Sequence, residues 1–185
     1  MLAKQRLTEQ FIITGKIDNV SSVSTRLLKN HILSNFMLVN RYNDSQYWYM
    51  KEYVKVPYHQ HIQWTQDYIR DHYRLEYDRT PVPTPKDSIR GIIQQTGEQV
   101  NTHHNVKDWH LEQSPEISCL YTVSTGPKNS EIVFEYDDGR NKHRRWSVPL
   151  KQDQFIIFSS NTPYYITKNE NKDFLINLYL DFQLI

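Results

Sequence analysis

Three histidines and an aspartate fall within ten residues in Asn101-Thr-His-His-Asn-Val-Lys-Asp-Trp-His110. Imidazole and carboxylate are the donors that hold a mononuclear non-heme iron, which needs three protein ligands and open positions for its reactants. His103, His104, Asp108 and His110 are therefore the candidate metal ligands. Side chains two apart on a strand point to the same side, so spacing decides which of them can act together. His103 with Asn105, His104 with Asp108 across a loop, and Asp108 with His110 are the candidate pairs, and none has the unambiguous His-x-Asp or His-x-His spacing. The same residues could equally decorate a polar loop. A third ligand would come from a distant strand, expected between residues 160 and 168, but Phe158-Ser-Ser-Asn-Thr-Pro-Tyr-Tyr-Ile-Thr-Lys-Asn169 contains no histidine. Tyr164 stands there instead, and Tyr164 with Arg144 are the side chains placed to meet a cofactor. His143 lies in the basic Asn141-Lys-His-Arg-Arg145, which reads as a solvated hairpin edge.

The elements that must position these residues begin at Ser88, where apolar residues start to alternate. Ile89–Ile93, Gln99–His103, Ile117–Val123, Glu131–Tyr136, Arg144–Val148, Gln154–Phe158, Tyr164–Thr167 and Phe174–Phe182 are strand candidates. Turn signals such as Thr96-Gly97, Thr125-Gly-Pro127 and Asp137-Asp-Gly139 separate them. Closely spaced strands that follow helices, rather than alternate with them, predict an antiparallel barrel packed by helices: mainly β, a double-stranded β-helix of jelly-roll or cupin type. Residues 88–185 form this expected domain, and residues 1–87 an N-terminal helical extension packed on it. In the extension Phe11–Thr14 reads as a strand, and Ser21–Thr25 offers caps for a helix carrying Leu28, Ile32 and Phe36. A second helix spans about His59 to Tyr77, with Ile62, Ile69 and Tyr73 on one face, until Thr80-Pro-Val-Pro-Thr-Pro85 stops it.

Composition narrows the function classes. A net charge of +1 gives no electrostatic reason to expect nucleic acid or an anionic membrane as partner. The single Cys119 excludes an internal disulfide framework and fits a reducing compartment. No apolar run approaches the ~20 residues of a membrane span. Met1-Leu-Ala-Lys-Gln-Arg6 lacks the apolar core of a signal peptide, so an intracellular location is expected.

Gly97-Glu-Gln-Val-Asn-Thr-His-His104, Ser118–Val123, Glu131–Glu135, Phe155–Ser160, Pro163-Tyr164 and Ile176–Leu180 together resemble a known family. It is that of the 2-oxoglutarate/Fe(II)-dependent oxygenases of prolyl-hydroxylase type, especially small ones of marine bacteriophages. The resemblance covers about residues 88–182 and implies Fe(II) and 2-oxoglutarate as cofactors and hydroxylation of an unknown substrate. It puts His104 or His103 at the first ligand position, Tyr164 where the distal histidine would be, and no arginine on the last strand, Phe174–Phe182. An oxygenase with a rearranged site is one reading. The other is a catalytically silent barrel: a phage structural or assembly protein, a homo-oligomer or partner-binding module, or a metal-free binder of a small ligand in the barrel mouth.

Overall fold

Apolar alternation on both faces of the later strands calls for cover on each side, and the fold supplies it with helices on one face and a second sheet on the other. The computed structural model describes residues 11–17, 20–42, 54–56, 59–84, 89–106, 114–137 and 144–185, and of 38–42 and 54–55 the backbone alone. Asp108, His110 and His143 lie outside the described residues.

Ahead of the barrel come β1 (Ile12–Lys16), α1 (Ser22–Tyr42), β2 (Val54–Lys55), α2 (Gln60–Tyr77) and β3 (Pro81–Pro83). The expected strands then follow in sequence: β4 (Ile89–Gln94), β5 (Val100–His103), β6 (Ile117–Ser124), β7 (Glu131–Tyr136), β8 (Arg144–Pro149), β9 (Gln154–Ser159), β10 (Tyr164–Ile166) and β11 (Leu175–Leu184). They build a large sheet ordered β1-β9-β6-β11-β4-β2, with β3 also on β11, and a small sheet ordered β5-β10-β7-β8. All the pairings are antiparallel. The eight strands from β4 to β11 make a double-stranded β-helix. The first 87 residues do more than add helices: β1 extends one edge of the large sheet, and β2 and β3 extend its far side.

Two cores result, and β11 serves both. Ile176, Leu178, Leu180 and Phe182 face α1 and α2, together with Leu28, Ile32, Ile62 and Ile69. Leu175 and Tyr179 face into the barrel with Leu120, Ile156, Phe158, Phe134, Tyr164 and Ile166. A strand covered on both sides is buried along nearly its whole length, as β6 also is. Cys119 belongs to the helix-side core, and burial pushes its thiol up, away from the thiolate that reactivity requires.

A buried hydrogen-bonded chain fastens the helices to the large sheet. Tyr121 Oη donates to Asp153 Oδ1 at 3.0 Å and lies 3.1 Å from His61 Nε2, while Ser24 Oγ lies 2.6 Å from His61 Nδ1. Asp153 can only accept, so the proton order is fixed: His61 donates to Tyr121, and Ser24 donates to His61. Burial lowers the His61 pKa, with His59 adding to the effect and Asp153 opposing it, which matches the neutral ring this order needs.

Candidate functional site

At one end of the barrel the inward positions turn polar. β5 ends at His103, and its pairing with β10 sets Tyr164 opposite, with a register shift between Tyr164 and Ile166. His103 Nε2 and Tyr164 Oη are 2.7 Å apart, and Tyr164 Oη is 2.9 Å from Asn105 Oδ1. His103 Nδ1 lies 2.8 Å from the carbonyl of Asn101, to which it donates. The loop is held in place because the Asn105 amide N–H donates to the carbonyl of Ser160 at 2.9 Å.

These contacts also fix the protons. Burial lowers the His103 pKa; the hydrogen bond to Asn101 opposes this, while Arg90 and His104 add to it. A neutral His103 that donates from Nδ1 must accept at Nε2, so Tyr164 donates to it. The phenol oxygen then needs a donor from Asn105. With the amide nitrogen turned toward Tyr164, Asn105 Nδ2 becomes the donor and Oδ1 takes the buried, unpartnered place. Asn105, Tyr164, His103 and Asn101 thus form one directed chain.

Beside it, β11 turns Asp181 inward. Asp181 Oδ2 is 2.6 Å from Arg90 Nη2, and Asp181 Oδ1 accepts from Ser118 Oγ at 2.6 Å. Ser118 Oγ lies 2.9 Å from Ser160 Oγ. The Arg90 guanidinium is 5.4 Å from the centre of the Tyr179 ring, which itself lies 5.7 Å from Tyr164 and 6.3 Å from His103. The barrel end is therefore an aromatic and polar floor with one partly buried ion pair. Deeper in, Asn177 Nδ2 and Oδ1 and the neighbouring Thr122 Oγ1 are buried without partners.

The structure separates the residues singled out by sequence. His103 and Tyr164 come together, and Asn105 completes them. His104, one residue on, is exposed. It cannot share the inward face with His103, so of the two only His103 meets Tyr164. Arg144 is exposed at the start of β8, opposite Tyr136 and two strands from Tyr164. Asp108 and His110 fall outside the described residues. Sequence reasoning missed Arg90, Asp181, Ser118 and Tyr179. One signal was present: Asp181 interrupts the apolar run Leu178–Phe182, and a carboxylate at a covered position needs a cation.

Iron does not fit the described donors. His103, Asn105 and Tyr164 offer one imidazole, one neutral amide and one phenol, without the second imidazole and the carboxylate of a facial triad. The imidazole lone pair is already used by Tyr164, and Asp181, at the same barrel end, is committed to Arg90 and Ser118. Among the described residues no group of three His, Cys, Asp or Glu side chains gathers as a metal site. Of the inward side chains of β11 (Leu175, Asn177, Tyr179 and Asp181) none is cationic, so a dicarboxylate finds no partner on that strand.

No family profile matches the chain, and no curated protein matches it by sequence. Solved structures do match. A non-heme α-ketoglutarate-dependent carbocyclase, SnoK, from nogalamycin biosynthesis aligns at a TM-score of 0.62 and 8% identity, over 94% of this chain and 80% of that one. A prolyl-4-hydroxylase of Pseudomonas putida aligns at 0.60 and 10%, over 93% and 91%. EctD from S. alaskensis, with 2-oxoglutarate and 5-hydroxyectoine, aligns at 0.61 and 12%, over 93% and 71%. The likeness is one of fold: this chain has the double-stranded β-helix found in 2-oxoglutarate/Fe(II) oxygenases. No described helix is long and apolar enough to cross a membrane.

Proposed function

We propose that this protein is a catalytically degenerate oxygenase barrel that binds a small molecule at the barrel mouth without activating oxygen. One observation supports the reading: His103, Asn105 and Tyr164, which we take as the counterparts of the ligand positions, bond to one another. Loss of one donor from a three-donor site leaves no spare, and here two have changed type. What remains is a binding surface. Buried polar groups are costly in an apolar barrel, yet Arg90, Asp181, Ser118 and Ser160 form a connected set there, beside the Tyr164 and Tyr179 rings. Such a set fixes the orientation of a polar ligand while the rings supply apolar contact.

Anaerobic titration of the protein with Fe(II), with and without 2-oxoglutarate, tests this. The expected result is no visible metal-to-ligand charge-transfer band under either condition. A band requiring both additions would overturn the reading and establish an oxygenase site, with His104, Asp108 and His110 as the donors to vary next.

A further inference from the structure

The helix α2 starts on an unusual cap. Its N-cap is His59, in extended backbone at φ −143° and ψ 136°, and the ring Nδ1 accepts from the backbone N–H of His61 at 3.2 Å. The His59 carbonyl accepts in turn from Ile62 at 2.9 Å and from Gln63 at 3.2 Å. A helix leaves its first N–H groups without intrahelical partners, and Ser, Thr, Asp or Asn ordinarily receives them. Those four keep an acceptor at neutral and mildly acid pH, whereas a histidine does not. A backbone N–H can only donate, so Nδ1 carries its lone pair here and the His59 ring is neutral, with its proton on Nε2. A proton added at Nδ1 would turn that acceptor into a donor facing the His61 N–H.

The surroundings make charging this ring harder still. A cation at the start of a helix opposes the positive end of its dipole, and the first turn of α2 holds no carboxylate. Among the described residues, the ionisable groups around this helix end are His31 from α1, His61 of α2, Tyr121 of β6 and Asp153 between β8 and β9. The His31 and His59 ring centres are 5.3 Å apart. Asp153 is taken by Tyr121. Burial lowers the His59 pKa, and the neighbouring His31 adds to the effect. His61, the residue that His59 caps, is 3% exposed and joins α2 to Ser24 of α1 and to Tyr121 of the large sheet. The cap therefore holds the very residue that fastens α2 to both its neighbours.

We propose that His59 is an acid-sensitive latch: as a neutral N-cap it holds the first turn of α2, and on protonation it releases that turn, with His61, from α1 and the large sheet. The direction follows from linkage. The folded-state pKa lies below the ordinary 6.5, so the latch is fully closed above that pH and is lost as pH falls through the lowered value. Ile62 and Tyr121, beside the latch, belong to the helix-side core and not to the barrel core. Release thus loosens the layer over the outer face of the large sheet, and the proposal stands or falls apart from binding at the barrel mouth.

Amide exchange followed by NMR on the full chain, from about pH 7.5 to about pH 4.5, distinguishes a latch from an ordinary helix end. The proteins compared are the native chain, His59→Asn and His59→Ala. With rates corrected for intrinsic exchange at each pH, the His61 amide of the native protein should lose protection on the order of tenfold, the worth of one cap. The midpoint of that loss should coincide with the titration of the His59 ring followed in the same samples. Asparagine caps without titrating, so His59→Asn should hold the higher protection throughout. Alanine offers no acceptor, so His59→Ala should show the lower protection throughout. The proposal is overturned by pH-independent protection of His61 in the native protein, by a loss of the same size in His59→Asn, or by a midpoint that departs from the His59 titration.

Discussion

The molecule contains the same pair, a neutral histidine bonded to a tyrosine hydroxyl, on both sides of its large sheet. Under the helices the chain Ser24–His61–Tyr121 ends on a carboxylate, Asp153. In the barrel the chain Asn101–His103–Tyr164 ends on an amide, Asn105. The first is sealed between elements and ties helix to strand. The second lies at a barrel end, beside an ion pair and exposed His104. The contrast shows what the barrel lacks. A histidine linked to a carboxylate through a tyrosine exists in this protein, but it faces the helices; the inward histidine's chain ends on a neutral partner. A polar chain that fastens elements can end on a charge, whereas the one at the site has lost the charge a metal requires.

Breaking the ion pair should have the largest effect. Asp181→Ala leaves Arg90 partly buried without its carboxylate and should cost on the order of 3 kcal/mol, read by urea unfolding. The two tyrosines set the two chains against each other. Tyr121→Phe removes the donor to Asp153 and the acceptor of His61 where water has little access, and should cost about 2 kcal/mol. Tyr164→Phe strands His103 and Asn105 near the barrel opening and should cost about 1 kcal/mol. Equal losses would mean that the barrel chain is as structural as the helix chain.

The smallest effect is on pH dependence. Burial lowers His61 and His103 below their ordinary value of 6.5, so the unfolded chain binds the protons more readily. Their contribution to stability is complete above pH 6.5 and is lost as pH falls through the lowered folded values. Unfolding curves should show stability declining below that pH, less steeply in His61→Gln. A flat profile would mean that these rings are not held neutral.

The strands were legible because alternation and turn residues are local. Ile117–Val123 and Glu131–Tyr136 read as strands from their own residues and appear as β6 and β7. The site was legible only in part. His103 and His104 differ by one position, which reverses the face, and sequence does not tell where β5 ends. Arg90 and Asp181 are 91 residues apart and meet through the register of β4 on β11, which no local spacing encodes. Arg144 was attractive for its charge, but it lies at a strand end beyond the covered part of β8.

The most direct test rebuilds the lost ligands. Asn105→Asp with Tyr164→His would set a carboxylate two residues after His103 and an imidazole opposite it, completing a facial triad. Anaerobic addition of Fe(II) and 2-oxoglutarate should then give a visible charge-transfer band in the double variant and none in the native protein. A band of equal strength in both would contradict the placement of the ligand positions at His103, Asn105 and Tyr164.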